Sequence, residues 1–358
     1  MMSKVAPATR SNPIRTASVL EKCYRFEDAN RVRETGFYSF FRVVDSAQDP
    51  EVVIGGRRMI MLGSNNYLGL TNDPRVKEAA IEAIRKYGSG CAGSRFLNGT
   101  LDLHVRLEER LAEFMRQEAA VTFATGFQVN LGAISCLVGK GDTVYLDKQD
   151  HACIIDGARL SFGDVRKFRH NEPKDLKRQM SVDHDTRGRL IVVDGVFSME
   201  GDIAPLPQIL SAAAEFDAAV MVDDAHGIGV LGKTGRGTAE HFGVEHDVDL
   251  IMGTFSKSMA SVGGFIAGDA VVIDYIKHRA RTMIFSAAPP PASVAAALET
   301  VEIMDSEPER RARLWENARF FSEGLRSLGL DTGESKTPVI PIVVGEDLTA
   351  LLMVHRLH

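Results

Sequence analysis

Six nearly continuous apolar runs, Ala120–Ala124, Thr143–Leu146, Leu190–Asp194, Ala219–Asp223, Leu250–Gly253 and Gly264–Ala267, punctuate residues 120–270 of this 358-residue chain. A strand with one wet face alternates apolar and polar side chains, whereas these runs read as strands covered on both faces. Helix-like stretches separate them, and helices between buried strands predict a mostly parallel α/β sheet flanked by helices. Ligands of such a sheet bind beyond the carboxyl ends of its strands, which is where the polar punctuation of this chain sits.

Around that centre the chain divides by composition. Residues 1–62 are polar with few regular patterns, as an arm that wraps another surface would be, and end in a hairpin around Gly55-Gly56. A large domain is expected over 63–305, with helices from Asp73-Pro74 to Tyr87 and from Leu101 to Met115. Residues 306–358 read as part of a small C-terminal α/β domain: a long helix from Glu307 to Leu328, a strand over 338–344 and a helix from Asp347. A net charge of −6 gives no electrostatic reason to expect nucleic acid. No stretch approaches the ~20 apolar residues that cross a bilayer, and residues 1–20 lack a signal peptide's apolar core, so a cytoplasmic protein is expected. Cys23, Cys91, Cys136 and Cys153 have neither C-x-x-C nor Cys/His spacing, which predicts reduced thiols and no metal site.

Lys257 and the Asp223-Asp224 pair carry the chemistry. Lys257 lies in Thr254-Phe255-Ser256-Lys257-Ser258, between two apolar runs, where a desolvated amine has a lowered pKa and acts as nucleophile and base. Two carboxylates closing an apolar strand, followed by His226, are costly to bury unless a cation pairs with one of them. An amine that holds an aldehyde and an acid that keeps a pyridinium protonated point to pyridoxal 5′-phosphate. Alternation along the strand leaves open which Asp faces the ligand. Thr125-Gly126-Phe127 would present helix N-terminal N–H groups to an anion, although alone it reads as an ordinary strand-to-helix turn. His151, past one strand end, can stack on a flat ring, and Ser198, past another, can offer a hydroxyl or simply cap a loop.

In order and spacing, Thr125-Gly126-Phe127, Asp150-His151-Ala152, Gly195-Val196-Phe197-Ser198-Met199-Glu200-Gly201-Asp202, Asp223-Asp224-Ala225-His226, Thr254-Phe255-Ser256-Lys257 and Phe285-Ser286-Ala287-Ala288-Pro289-Pro290 resemble the α-oxoamine synthases. These are fold-type I pyridoxal-phosphate enzymes that condense an amino acid with an acyl-CoA and release carbon dioxide. The resemblance covers roughly residues 20–350. The glycine-rich Gly88–Thr100, Phe168-Arg169-His170-Asn171 and Leu314-Trp315-Glu316-Asn317 look most like the bacterial serine palmitoyltransferase branch.

The resemblance implies L-serine and palmitoyl-CoA as substrates and 3-ketodihydrosphingosine as product. It implies that Lys257 holds the cofactor, Asp223 pairs with its ring nitrogen, His226 bonds its ring oxygen and His151 stacks on the ring. Gly126 and Phe127 would give backbone donors, Ser198 and Thr254 hydroxyls, and Asn65, in Ser64-Asn65-Asn66-Tyr67-Leu68-Gly69, would lie near the substrate. Ser286 and Ala287 would reach the phosphate of a neighbouring subunit, making the active unit a homodimer. Alanine with pimeloyl-CoA and glycine with a short acyl-CoA are the rival substrate pairs. Family members continue into a segment that completes the small domain and supplies an Arg for the substrate carboxylate; this sequence stops at His358, which leaves a cofactor-binding but silent subunit as the non-enzyme reading.

Overall fold

The structure is a computed structural model and describes residues 18–358. Two compact units are present, the larger spanning Asp45–Val343 and the smaller joining the described residues 18–44 with Val344–His358. The smaller unit contains the helices Glu21–Tyr24, Asp28–Glu34 and Asp347–Leu357, and in it the Phe37 and His355 rings meet at 5.0 Å.

The larger unit opens with a hairpin, β1 (Glu51–Ile54) antiparallel to β2 (Arg57–Ile60). Gly55 and Gly56 both take positive φ, as a two-residue turn matched to strand twist requires. The remaining strands, β3 (Ala119–Phe123), β4 (Thr143–Asp147), β5 (Asp164–Phe168), β6 (Arg189–Asp194), β7 (Ala219–Asp223), β8 (Leu250–Thr254) and β9 (Gly264–Gly268), form one sheet in the order β3-β9-β8-β7-β6-β4-β5. Only β9 runs antiparallel to its neighbours, so the other six strands deliver their carboxyl ends to one edge, and β9 enters the sheet at that same edge.

Both faces of the sheet are covered, and the register shows it residue by residue. Ile191, Val193, Val220 and Val222 join one core with Leu107, Leu111 and Phe255. Leu190, Val192 and Met221 join the other, with Val129, Ile134 and Ile154 from the helices Gly126–Leu137 and Ala152–Leu160. Successive side chains therefore enter opposite cores, which is why the runs lack polar alternation.

The helices Pro74–Tyr87 and Asp102–Met115 pack with Pro291–Ser306 on one side of the sheet. Pro308–Ser327 is held to the same unit by Trp315 Nε1, which donates to the Val230 carbonyl at 2.9 Å, and by Arg310, 3.0 Å from Asp73. The strand expected over 338–344 does not form. Pro338 and Pro341 lack N–H donors, so the segment cannot keep a ladder, and it lies as irregular chain whose Thr337 Oγ1 donates to the Gly201 carbonyl at 2.8 Å.

Candidate active site

Five of the six strands that end at the shared edge, all but β5, contribute to one cavity of about 300 Å³. Gly126 and Phe127 follow β3, His151 follows β4, Ser198 follows β6, Asp223 and His226 close β7, and Thr254 and Lys257 close β8. Asp194 and Cys153, which the sequence did not single out, also line it. The first-turn N–H groups of the Gly126–Leu137 helix have no intrahelical acceptors, and Thr125 caps the helix by accepting from Gln128 N at 3.2 Å. Glycine is required at 126, because a Cβ there would sit 2.6 Å from Thr254 Oγ1. Beside it, the Thr254 and Ser256 hydroxyls lie 2.9 Å apart.

Asp223 is the acid that faces the cavity. Its Oδ1 accepts from Ala225 N at 3.1 Å and its Oδ2 from Asn130 Nδ2 at 2.6 Å. Asp224 turns to the opposite side of β7, where it accepts from Thr238 N at 2.6 Å and Thr238 Oγ1 at 2.7 Å; burial pushes its carboxyl up to about 7. The geometry thus resolves the choice that strand alternation left open. Asn130 also donates to Cys153 Sγ at 3.0 Å, and Cys153 in turn lies 2.8 Å from His151 Nδ1. Burial, then the charge of Asp223, pushes the Cys153 thiol up to about 12, so it stays protonated and serves as a link between the carboxylate and the imidazole rather than as a nucleophile.

Lys257 is partly buried, and desolvation lowers its pKa against the opposing pull of Asp223 and Asp194. The turn that holds it is pinned by Ala260 N donating to its carbonyl at 3.0 Å and by the fully buried Phe255. His226 is driven down to about 3 by burial, then by Lys257 and His151, and so is neutral at ordinary pH. Its Nδ1 lies 2.7 Å from the hydroxyl of Tyr67.

Behind His151 stands a cluster of acids. Asp194 Oδ2 accepts from His151 N at 2.7 Å, while Asp150 accepts from the backbone of Asp194 and Asp147 at 3.0 and 2.8 Å. Burial first, and then the charges of Asp194 and Asp147 on Asp150 and of Asp223 on Asp194, raise the pKa values of Asp150 and Asp194. Nearby, His170 bridges Asp147 and Asp202, 2.9 Å from each, and so ties the end of β4 to the loop that carries Ser198. Burial opposes the charge on His170, but the two carboxylates overcome it and hold its pKa above the ordinary imidazole value. A raised folded-state pKa contributes stability that is complete below the unfolded value of about 6.5 and is lost as pH rises through the folded value. Urea unfolding of the native chain and His170→Gln across pH 5.5–9 is expected to show a stability difference that shrinks toward the alkaline end; a difference independent of pH would remove the ionic role.

Three anticipated residues stand apart from the cavity. Asn65 is exposed, and the turn it begins is organised by Asn66, whose Oδ1 accepts from Leu70 N at 2.9 Å. Ser286 accepts from Gln128 Nε2 at 3.2 Å and Ala287 is exposed; neither lines the cavity of its own chain. Tyr67, Asn130, Cys153 and Asp194 are the additions that the structure makes.

This donor set fits pyridoxal 5′-phosphate. A helix N-terminus with two adjacent hydroxyls suits the phosphate, a carboxylate held by Asn130 suits a protonated ring nitrogen, and a desolvated amine suits the aldehyde. Comparison with known proteins agrees. The chain is 54% identical to a serine palmitoyltransferase of Sphingobacterium spiritivorum over 90% of its own length and 81% of that protein's. It is 47% identical to an 8-amino-7-oxononanoate synthase of Symbiobacterium thermophilum, over 92% and 85%. A solved serine palmitoyltransferase from S. paucimobilis, with a bound PLP–myriocin aldimine, superposes with a TM-score of 0.91 at 37% identity, covering 94% of this chain and 89% of that one. Residues 57–357 match the family described as aminotransferase class I and II, and the chain belongs to that family.

Proposed function

We propose that the chain binds pyridoxal 5′-phosphate and condenses L-serine with palmitoyl-CoA, with loss of carbon dioxide, to form 3-ketodihydrosphingosine. The observation that carries this reading is the convergence of Lys257, Asp223 and His226 on one cavity with the Gly126 helix N-terminus. The choice of serine rests on the similarity to serine palmitoyltransferases of 54% and 50% identity, above the 47% to the 8-amino-7-oxononanoate synthase.

When bound, the cofactor supplies an electron sink for the carbanion at the amino acid's Cα. The chain's residues do the rest. Asp223, whose two oxygens accept from Asn130 Nδ2 and Ala225 N, would hold the proton on the ring nitrogen. Lys257 Nζ, whose pKa desolvation lowers, takes the proton from Cα and later returns one to the same carbon. His151 would cover one face of the ring, and His226 would donate to the ring oxygen. Gly126 and Phe127 N–H groups and the hydroxyls of Thr254 and Ser198 hold the remaining oxygens. Asn65, which is exposed, would lie near the substrate.

The working unit is a homodimer in which Ser286 and Ala287 complete the partner's phosphate site. Phe285 at 75% exposure, Phe96 at 52% and Leu97 at 79% are exposed apolar side chains on that segment and on the loop whose Gly93 carbonyl accepts from Ala288 N at 2.9 Å, which supports an interface there. Among the described residues no helix is long and apolar enough to cross a membrane, and Cys23, Cys91, Cys136 and Cys153 are unpaired, which supports a cytoplasmic enzyme.

The test is a panel of amino acids added to the cofactor-loaded protein. Serine is expected to change the visible spectrum at lower concentration than glycine or alanine, and serine with palmitoyl-CoA to release free CoA. Alanine acting best, with pimeloyl-CoA as acceptor, would move the chain to the 8-amino-7-oxononanoate synthase reaction. No CoA release from any pair would leave the silent-subunit reading.

A further inference from the structure

Tyr67 belongs to the turn Ser64–Gly69, the same turn in which Asn65 is expected near the substrate. Asn66 closes the turn on itself, accepting from Leu70 N and donating to Thr71 Oγ1 at 2.7 Å. Leu68 and Leu70 are buried in the core, and Gly69 takes φ +67 to let the chain return. The rigid product of these restraints is the placement of one phenol. Tyr67 reaches across 159 residues of sequence to His226 Nδ1 at 2.7 Å, its ring edge-on to the imidazole at 6.0 Å and 72°.

We propose that Tyr67 is a positioning residue that fixes the tautomer of His226, so that the imidazole always presents Nε2–H to the cavity. The reasoning is one of proton supply. His226 is neutral, with Lys257 and His151 as the basic groups that face it, and a neutral imidazole carries a single N–H. Burial raises the Tyr67 pKa, so its hydroxyl keeps its proton. Among the described residues the hydroxyl has no other hydrogen-bond partner than Nδ1. If Nδ1 carried the imidazole proton, the phenolic proton would lose its one acceptor in this half-buried site, a cost that the other tautomer avoids. With the phenol donating, Nδ1 accepts and the proton stays on Nε2.

A donor fixed in that sense favours an anionic ring oxygen on the cofactor, a consequence that rests on the function proposed above. Without Tyr67 the ring can present a lone pair instead, which repels that anion. The effect belongs to the turn as well as to the histidine, and it gives the Asn66-Tyr67-Leu68-Gly69 pattern a chemical role.

The experiment has two arms. In the first, 15N-histidine NMR of the cofactor-free chain reads the tautomer directly: His226 is expected as the Nε2–H form by at least about tenfold, and Tyr67→Phe to bring the two forms within about threefold. A native Nδ1–H form, or an even mixture, overturns the proposal whether or not the variant folds. In the second, the pH midpoint of the bound cofactor's visible transition is expected to rise by about 0.5–1 in Tyr67→Phe, a three- to tenfold change in the proton equilibrium. In a His226→Gln background, whose amide needs no tautomer to donate, Tyr67→Phe is expected to add nothing. An unmoved midpoint, or an equal shift in both backgrounds, overturns the proposal. If the cofactor does not bind at all, the function proposed above fails while the first arm still decides the role of Tyr67.

Discussion

Lys257→Ala is expected to fold, to keep its cavity, and to lose turnover of serine and palmitoyl-CoA by more than the ~10²–10⁴-fold that a positioned acid–base group alone supplies. The excess comes from the second task of the amine, which is to hold the cofactor covalently until substrate replaces it. Burial prepares it for both. Desolvation lowers its pKa and raises the free-base fraction, while Asp223 and Asp194 limit the drop by favouring the charged form. The fold is spared because the turn is anchored by Phe255, which is fully buried, and by backbone bonds such as Phe255 N to Gly263 O at 3.0 Å, none of which uses the lysine side chain. The measurement is borohydride reduction followed by peptide mapping. A pyridoxyl label on the peptide containing Lys257 in the native chain, and none in the variant, is the expected pair of results. A label elsewhere in the native chain would falsify the assignment of the amine.

The sequence made the centre of this fold legible because burial on both faces leaves a strong mark. The runs in β3, β4, β6, β7, β8 and β9 each send side chains into two cores, and no surface pattern interrupts them. β5 escaped because it lies at the sheet edge, where Arg166 and Lys167 interrupt its apolar residues, and charge on an edge strand guards against unwanted pairing while hiding the strand from a hydrophobicity reading. The segment over 338–344 misled in the opposite sense, being apolar enough for a strand but carrying two prolines that deny it a ladder.

The site follows the same logic. Residues at strand ends were found because position alone marks them, and the parallel topology gathers strand ends by construction. Asp194 sits at such an end, directly across from Asp223 in the β6–β7 register, yet one acid closing a strand looked ordinary beside two. Asn130 left a different trace: it is a fully buried amide between Val129 and Ala133 on the helix that opens at Gly126, one turn after the cavity-facing glycine. A polar side chain on an apolar helix face requires a buried partner, and the partner here is the carboxylate of the neighbouring strand. Asn65 was chosen over Tyr67 because a short polar side chain resembles a substrate contact, whereas the phenol's target lies 159 positions away and only the folded chain brings it near.

Asp223→Asn is the sharper test of the electronic argument, because it keeps the shape of the side chain and removes only its charge. In the native arrangement Asn130 Nδ2 and Ala225 N donate to the two oxygens and leave the carboxylate's remaining lone pairs for a cation in the cavity. An asparagine in its place turns an amide either against the Asn130 amide or toward the ring nitrogen, so one donor meets another or the ring loses its proton. Breaking one side of a buried ion pair costs ~3–5 kcal/mol. At ~1.4 kcal/mol per factor of ten, kcat/KM is expected to fall by ~10²–10⁴-fold, with the cofactor still bound through Lys257 and the Gly126 helix. Asp224→Asn provides the contrast. Asp224 faces Thr238 rather than the cavity, and its loss removes one of two hydrogen bonds in a buried pocket, so the expected cost is ~1–3 kcal/mol of stability, with kcat/KM reduced far less than by Asp223→Asn. Measuring kcat/KM, the cofactor spectrum and the urea midpoint for both variants separates the two carboxylates. If Asp224→Asn impaired turnover more than Asp223→Asn, the ring nitrogen would have to face the other side of β7, and the cavity described here would not be where the reaction occurs.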